Sequence, residues 1–382
     1  MIYLDHAATT PLRPEVQAAM EAAGREGFAN PSSQHAAGRR ARQILEDARE
    51  RILAAVGCRS TGQHRCRLVF TSGATEANRL AVLGTARSPA GVGAVSARDH
   101  TSLRAAAKDL ASRPGWSITD LPLDSHGTLD SAAVSAWLDQ TQGVPCRILC
   151  TTLVCGQTGT RESALVAVAA AERVCLVHAD ATQAVAFTDV DFTRLGAATL
   201  TLAPHKFGGP RGIGGLVIRG DVDLQPLHPG PQETGMRGGT EPVALAAGFA
   251  TALELACAER AEASRRVTQL RDHFEAGTRA LAERRGIVAT VVSEMADRSP
   301  HVSTIGFHGR DRQAIVMAAD LGGLCCATGT ACASGSSEPA PALAAMGLPE
   351  GIARGAVRFS FGRSTTEADV NRAIMILDTI LS

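Results

Sequence analysis

The feature that most limits the fold is an alternation, between Pro14 and Ala250, of short apolar runs with segments of helical period. The stretch RRARQILEDARERILAAVG places Ile44, Leu45, Ala48, Ile52, Leu53 and Val56 at helical spacing, and Gly57 stops it. The runs CRLVFTS, VGAVSA, WSITDLP, RILCTTLV, RVCLVHA, ATLTLA and GGLVIR are mostly apolar throughout. Strands of that kind are buried on both faces, so the pattern predicts an α/β fold with a mainly parallel sheet covered by helices. GGLVIR follows the preceding strand closely enough for a hairpin, which predicts one antiparallel strand.

A long helical stretch from GGTEPVAL to ERRG then leads to four further strand signals, GIVATVV, HVSTIGF, LGGLCCATGT and AVRFSFG. Helical patterns at DRQAIVMAADLG and TTEADVNRAIMILDTILS accompany them, so a smaller α+β unit is expected after the large one. No internal repeat and no low-complexity linker interrupts the chain.

With 382 residues, 45% of them hydrophobic and 20% charged, the chain can bury a sizeable core. Formal charge is zero and no Lys/Arg block stands out, which argues against direct nucleic-acid binding. No apolar run reaches the roughly 18–20 residues of a membrane span, and MIYLDHAATTPLRP has no signal-peptide pattern, so a cytoplasmic protein is expected. The ten cysteines include no C-x-x-C pair, so neither zinc nor a disulfide framework is expected. Most read as small buried hydrophobes.

One count is sharper. Lysine occurs only at Lys108 and Lys206, against 36 arginines. Lys108 lies in an ordinary helical stretch, whereas Lys206 sits in TLAPHKFGGPRGIGG. Only a primary amine can lose its proton near neutral pH and form a Schiff base; a guanidinium does neither.

Two other strand ends carry chemistry. FTSGATEAN places Ser72, Gly73, Ala74 and Thr75 at a helix N-terminus, where free N–H groups and the dipole suit a phosphate and Thr75 adds a hydroxyl. HADATQAV ends a buried strand on Asp180, close to Gln183. A carboxylate there faces the crevice in which α/β sheets bind ligands. Amine, carboxylate and anion cradle are the three groups that pyridoxal phosphate requires of a protein.

The chain resembles the cysteine desulfurases of the NifS/IscS type, class-V aminotransferase-fold enzymes. The likeness runs in order through YLDHAATTP, NPSSQH, FTSGATEAN, HADATQAV, PHKFGGPRGIG, GMRGGTEP, ATGTACASGSSEP and VRFSFGRSTTEADV. It implies an aspartate aminotransferase-like fold (fold type I) in a homodimer. The large pyridoxal-phosphate domain would span residues 13–252; residues 1–12 with 253–382 would form a small domain carrying a catalytic cysteine loop. It further implies that Lys206 forms a Schiff base with pyridoxal 5'-phosphate and later moves protons, while Asp180 pairs with the pyridine nitrogen. Gln183 would bond the phenolic oxygen. His100 would stack on the ring and take part in acid–base steps. Ala74, Thr75 and His205 would hold the phosphate, with Thr240 reaching across from the other subunit. Arg358 would clamp the substrate carboxylate through its guanidinium fork. Cys332 would take the sulfur of L-cysteine as a persulfide, leave L-alanine and pass the sulfur to an acceptor protein.

Other class-V reactions (selenocysteine lysis or transamination) and a cofactor-holding scaffold are the alternatives. Cys325 and Cys326 lie in an apolar strand and read as structural, with a sulfur relay the alternative. Two departures from the family pattern stand out. In VCGQTG, Cys155 and Gly156 replace two asparagines, and Gly156 falls where an amide contacts substrate or cofactor. Losing one such bond to a charged group costs about 1.5–3 kcal/mol. Ala203-Pro204 replaces a phosphate-binding serine and a glycine.

Overall fold

The computed structural model describes residues 1–62, 65–86, 90–162, 175–329 and 339–382. The strands are β1 (Ile2–Tyr3), β2 (Cys66–Thr71), β3 (Gly91–Ser96), β4 (Trp116–Leu121), β5 (Arg147–Thr152), β6 (Leu176–Asp180), β7 (Thr199–Leu202) and β8 (Gly214–Arg219). All but β1 form a seven-stranded sheet of order β2-β8-β7-β6-β5-β3-β4. The pairs from β7 through β6, β5 and β3 to β4 are parallel, and β8 runs antiparallel to both of its neighbours. The expected hairpin strand is therefore β8. The fully buried pattern of β5 and β7 explains why those runs carry no polar alternation.

Helices cover both faces. The first five are α1 (Pro14–Glu26), α2 (Ala36–Ala55), α3 (Ala74–Gly84), α4 (Thr101–Ala111) and α5 (Ser131–Gln140). On α2 the buried stripe includes Ala41, Leu45, Ala48, Ile52 and Leu53, and His35 caps its N-terminus by accepting from Gly38 N at 3.2 Å. Lys108 is exposed on α4, as its helical context predicts.

The long helix Val243–Arg284 spans two cores. Its first half packs on α1 and α2 and contributes Phe249 and Leu253 to the core under the large sheet. Its second half puts Val267, Leu270 and Phe274 into a separate core with Phe307, Phe359 and Phe361. That core lies against an antiparallel sheet of order β12-β10-β9, formed by β9 (Ala289–Val291), β10 (Val302–Phe307) and β12 (Ala356–Ser360). The phenyl rings of Phe274 and Phe359 are 4.7 Å apart between centroids, a favourable tilted contact. The last helix, Glu367–Ile380, starts with a capping box in which Thr366 and Asp369 satisfy each other's backbone N–H.

The N-terminal segment joins the two cores. β1 pairs in parallel with β11 (Leu324–Cys325), and Asp5 bridges Ser360. The chain then crosses to the large sheet, where Thr10 N donates to His205 O at 2.9 Å and Arg13 N to Gly208 O at 3.0 Å.

Candidate active site

Over the C-terminal ends of β2, β5 and β6 lies a cavity of about 710 Å³. β7 ends at Leu202, and a single 3-10 turn, Pro204–Lys206, brings the lysine into that cavity. Proline suits the first position of this turn, where its missing N–H is not needed. The Lys206 Nζ donates to the carbonyls of Ala7 and Ala8 at 2.6 and 2.7 Å. The crossing N-terminal segment therefore meets the amine directly.

Asp180, at the end of β6, is buried. Its Oδ2 accepts from Asn78 Nδ2 at 2.9 Å, and its Oδ1 from Thr182 N at 2.9 Å. Asn78 in turn faces His178, with Oδ1 3.0 Å from Nε2, and His178 Nδ1 lies 2.8 Å from Thr199 Oγ1. Burial holds the His178 pKa down at about 4, so the ring is neutral. Neutral partners on the far side leave the carboxylate charge to act toward the cavity. Asn78 and His178, which the sequence reading did not single out, form this support behind the Asp180 carboxylate. The only signal was their place inside TEAN and VHAD.

His100 caps α4: its Nδ1 is 2.8 Å from Ser102 Oγ and accepts from Ser102 N at 3.2 Å. A backbone N–H can only donate, so Nδ1 carries the lone pair and Nε2 the hydrogen. The His100 residue is exposed and lines the cavity, while the protein around the ring still strips water from it. That desolvation lowers its pKa; Asp180 opposes the shift and Lys206 adds to it. The loop bearing His100 is fixed by the two residues before it. Arg98 is fully buried and donates to Glu162 at 2.6 Å and to the Thr160 carbonyl at 2.8 Å. Asp99 accepts from Ser96 N and Thr152 N, each at 2.8 Å, and burial pushes its carboxyl up to about 6.

At the opposite end of the cavity α3 begins. Ala74 and Thr75 line the wall, and the first N–H groups of a helix have no intrahelical acceptor. Ser72 N is already taken by Glu76 at 2.7 Å. His205 Nδ1 is 3.1 Å from Thr9 Oγ1, and burial, followed by Lys206 and Arg211, lowers its pKa to about 4. Arg211 adds a cation to this end of the wall.

Arg358, on β12, reaches the cavity from the second core. Its Nη1 donates to the Gly156 carbonyl and its Nη2 to Asp5 Oδ1, both at 2.9 Å. Gly156 thus contributes a backbone oxygen where the family pattern has an amide. Gln183 sits between Ala7 and His301, donating from Nε2 to Ala7 O at 2.8 Å.

Thr240 is exposed and does not line this cavity. Cys332 falls outside the described residues. Cys325 and Cys326 are half-buried; burial raises both thiols, Cys326 to about 12, which leaves them poor nucleophiles.

The residues present fit pyridoxal phosphate. Amine, carboxylate and helix N-terminus face one cavity, and the hydroxyls of Thr152 and Thr182 and the Nε of Arg358 are buried at its wall with no hydrogen-bond partner among the described residues. A parallel sheet with one reversed strand, and a lone lysine at its carboxyl edge, define an α/β enzyme equipped for carbonyl chemistry. Residues 2–373 match the model of the "Aminotransferase class-V" family. The chain is 35% identical to the cysteine desulfurase IscS of Dictyoglomus turgidum, covering 100% of this chain and 94% of that protein. It is 36% identical to the IscS-like cysteine desulfurase of Mycobacterium tuberculosis, covering 99% and 95%. A solved structure of SspA in complex with cysteine superposes with a TM-score of 0.78 at 26% identity, over 96% of this chain and all of that one. The chain belongs to the class-V aminotransferase family, among the cysteine desulfurases of the IscS/NifS type.

Proposed function

We propose that this protein is a pyridoxal phosphate-dependent L-cysteine desulfurase that forms L-alanine and carries the released sulfur on Cys332 for an acceptor protein. The observation that carries the reading is the convergence of Lys206, Asp180, His100 and Arg358 on one cavity. When bound, the cofactor supplies an aldehyde for the amine and a ring that accepts an electron pair. Lys206 anchors the cofactor and moves protons at Nζ. Asp180 would keep the ring nitrogen protonated, Gln183 would donate to the phenolic oxygen, and Ala74, Thr75 and His205 would hold the phosphate. His100 would serve the ring and offer its Nε2–H. Arg358 takes the substrate carboxylate, orienting the thiol side chain.

Gly329 and Pro339, the described residues that flank the stretch containing Cys332 in the sequence, both line the cavity. In this reading the Cys332 thiolate attacks the substrate sulfur, forms an S–S bond and becomes a persulfide as the C–S bond breaks; the electron pair of that bond stays with the carbon skeleton, which takes up a proton and becomes alanine. The large domain (13–252) brings Lys206, Asp180 and His100; the small one (1–12 with 253–382) brings Arg358 and Cys332. Thr240 serves a second subunit in a homodimer.

The test is borohydride reduction of the yellow protein followed by peptide mass analysis. The pyridoxyl mass is expected on Lys206, and Lys206→Ala is expected to be colourless. With reductant present, L-cysteine should give alanine and sulfide, and Cys332→Ser should keep the colour and stop sulfide release. Undiminished sulfide release by Cys332→Ser would falsify the persulfide step; a label at any other residue overturns the cofactor assignment.

A further inference from the structure

A buried imidazole lies beneath Gln183. His301, just before β10, stacks on Phe187 with ring centroids 4.7 Å apart and planes within 12°. Its Nδ1 is 2.8 Å from Ser299 Oγ and its Nε2 is 3.1 Å from Gln183 Oε1. The other end of the Gln183 amide donates to Ala7 O at 2.8 Å, and the same carbonyl accepts from Lys206 Nζ at 2.6 Å.

These contacts fix every donor. A carbonyl oxygen can only accept, so the Gln183 atom facing Ala7 is nitrogen and the atom facing His301 is oxygen. His301 must therefore donate from Nε2, and its Nδ1 accepts from the Ser299 hydroxyl. Burial, followed by the nearby Arg358, lowers the His301 pKa to about 3, so this neutral tautomer persists at working pH. The terminal torsion of a glutamine is otherwise soft and roughly two-fold. A flipped amide would turn its oxygen toward the place its N–H now takes.

We propose that His301 is a positioning residue for the cofactor: its Nε2–H locks the Gln183 amide, leaving the second N–H of that amide to donate to the phenolic oxygen of pyridoxal phosphate. The inference rests on the proposed role of Gln183. A donor at that oxygen draws off negative charge that would otherwise hold the neighbouring proton on the cofactor. Loss of the lock therefore makes that proton harder to remove.

The experiment titrates the visible absorption band of cofactor-loaded wild type and variants, with borohydride reduction as an independent measure of loading. His301→Leu and His301→Met, neither able to donate, are expected to raise the band's midpoint by about one pH unit, a tenfold change of the size expected for one charged hydrogen bond. His301→Gln, whose amide can donate from a similar place, is expected to keep the wild-type midpoint. Gln183→Leu is expected to shift it alone, and Gln183→Leu/His301→Leu no further, because both act through one bond. A wild-type midpoint in loaded His301→Leu or His301→Met overturns the inference, as does a double variant whose shift is the sum of the two. Absence of a borohydride-stable label in wild type removes the cofactor reading and this inference together; normal labelling with unmoved midpoints removes this one only.

Discussion

Arg358 is held on two sides before any substrate reaches it, by Asp5 and by the Gly156 carbonyl, and its Nε is left over. That geometry demands a planar fork, which lysine lacks. Arg358→Lys is expected to raise KM for L-cysteine roughly ten- to hundred-fold with a smaller effect on kcat, measured by steady-state alanine formation. An unchanged KM would show that the carboxylate is bound elsewhere. Gly156 permits the converse experiment. A Cβ there would lie 3.4 Å from Gln183 Nε2, a contact that needs only a slight give. Gly156→Asn supplies the amide that the family pattern carries and is expected to raise kcat/KM about tenfold. A fall in kcat/KM with unchanged thermal stability would mean that this pocket is built for the smaller residue.

At the scale of elements, the site depends on how closely β8 approaches the start of α3. A Cβ on Gly214 would stand 2.6 Å from the carbonyl carbon of Gly73 and 3.0 Å from Ala74 N. Gly214→Ala therefore displaces the helix N-terminus that faces the cavity. Cofactor affinity is expected to fall by about tenfold or more, read by titrating the visible band, since it loses aligned N–H donors. Gly351→Ala, in open space on the short helix Glu350–Arg354, is the matched control and should bind cofactor as wild type does. Affinity unchanged in Gly214→Ala would mean that the phosphate is held at another place. The strand ends bearing Asp180 and Lys206, and the reversed β8, were legible from apolar runs and their spacing, because burial on two faces writes itself into local sequence. The supports behind them were not. Asn78 contacts Asp180 and His178 across 102 and 100 residues, and His301 reaches Gln183 across 118. Contacts that distant leave no period to read.

Across the whole molecule, four histidines are kept neutral by burial: His6, His178 and His205 at about 4 and His301 at about 3. The unfolded chain takes up their protons near pH 6.5. Between those values the unfolded state binds more protons, so stability rises with pH; their contribution is complete above pH 6.5 and drains away as pH falls toward 4. Asp99, raised to about 6, works the other way between its ordinary value and 6. One group opposes four. The urea midpoint is expected to drop steadily from pH 6.5 to 4, each histidine contributing about 1.4 kcal/mol per pH unit at most. A flat profile across that window would show that these rings are protonated in the native state.

The sequence by itself settled the layered α/β plan, singled out Lys206 from among so many arginines, and marked strand ends that border the cavity. Each of these follows from short-range rules of burial period, backbone termini and side-chain protonation. Only the tertiary structure decided that residues 5–8 of the N-terminal crossing hold both Lys206 and Arg358, that the Gly156 carbonyl accepts from Arg358, and that His301 meets the Gln183 amide of the other core. Those are meetings between segments far apart in the chain, made by packing two cores against one strap, and no local pattern encodes them.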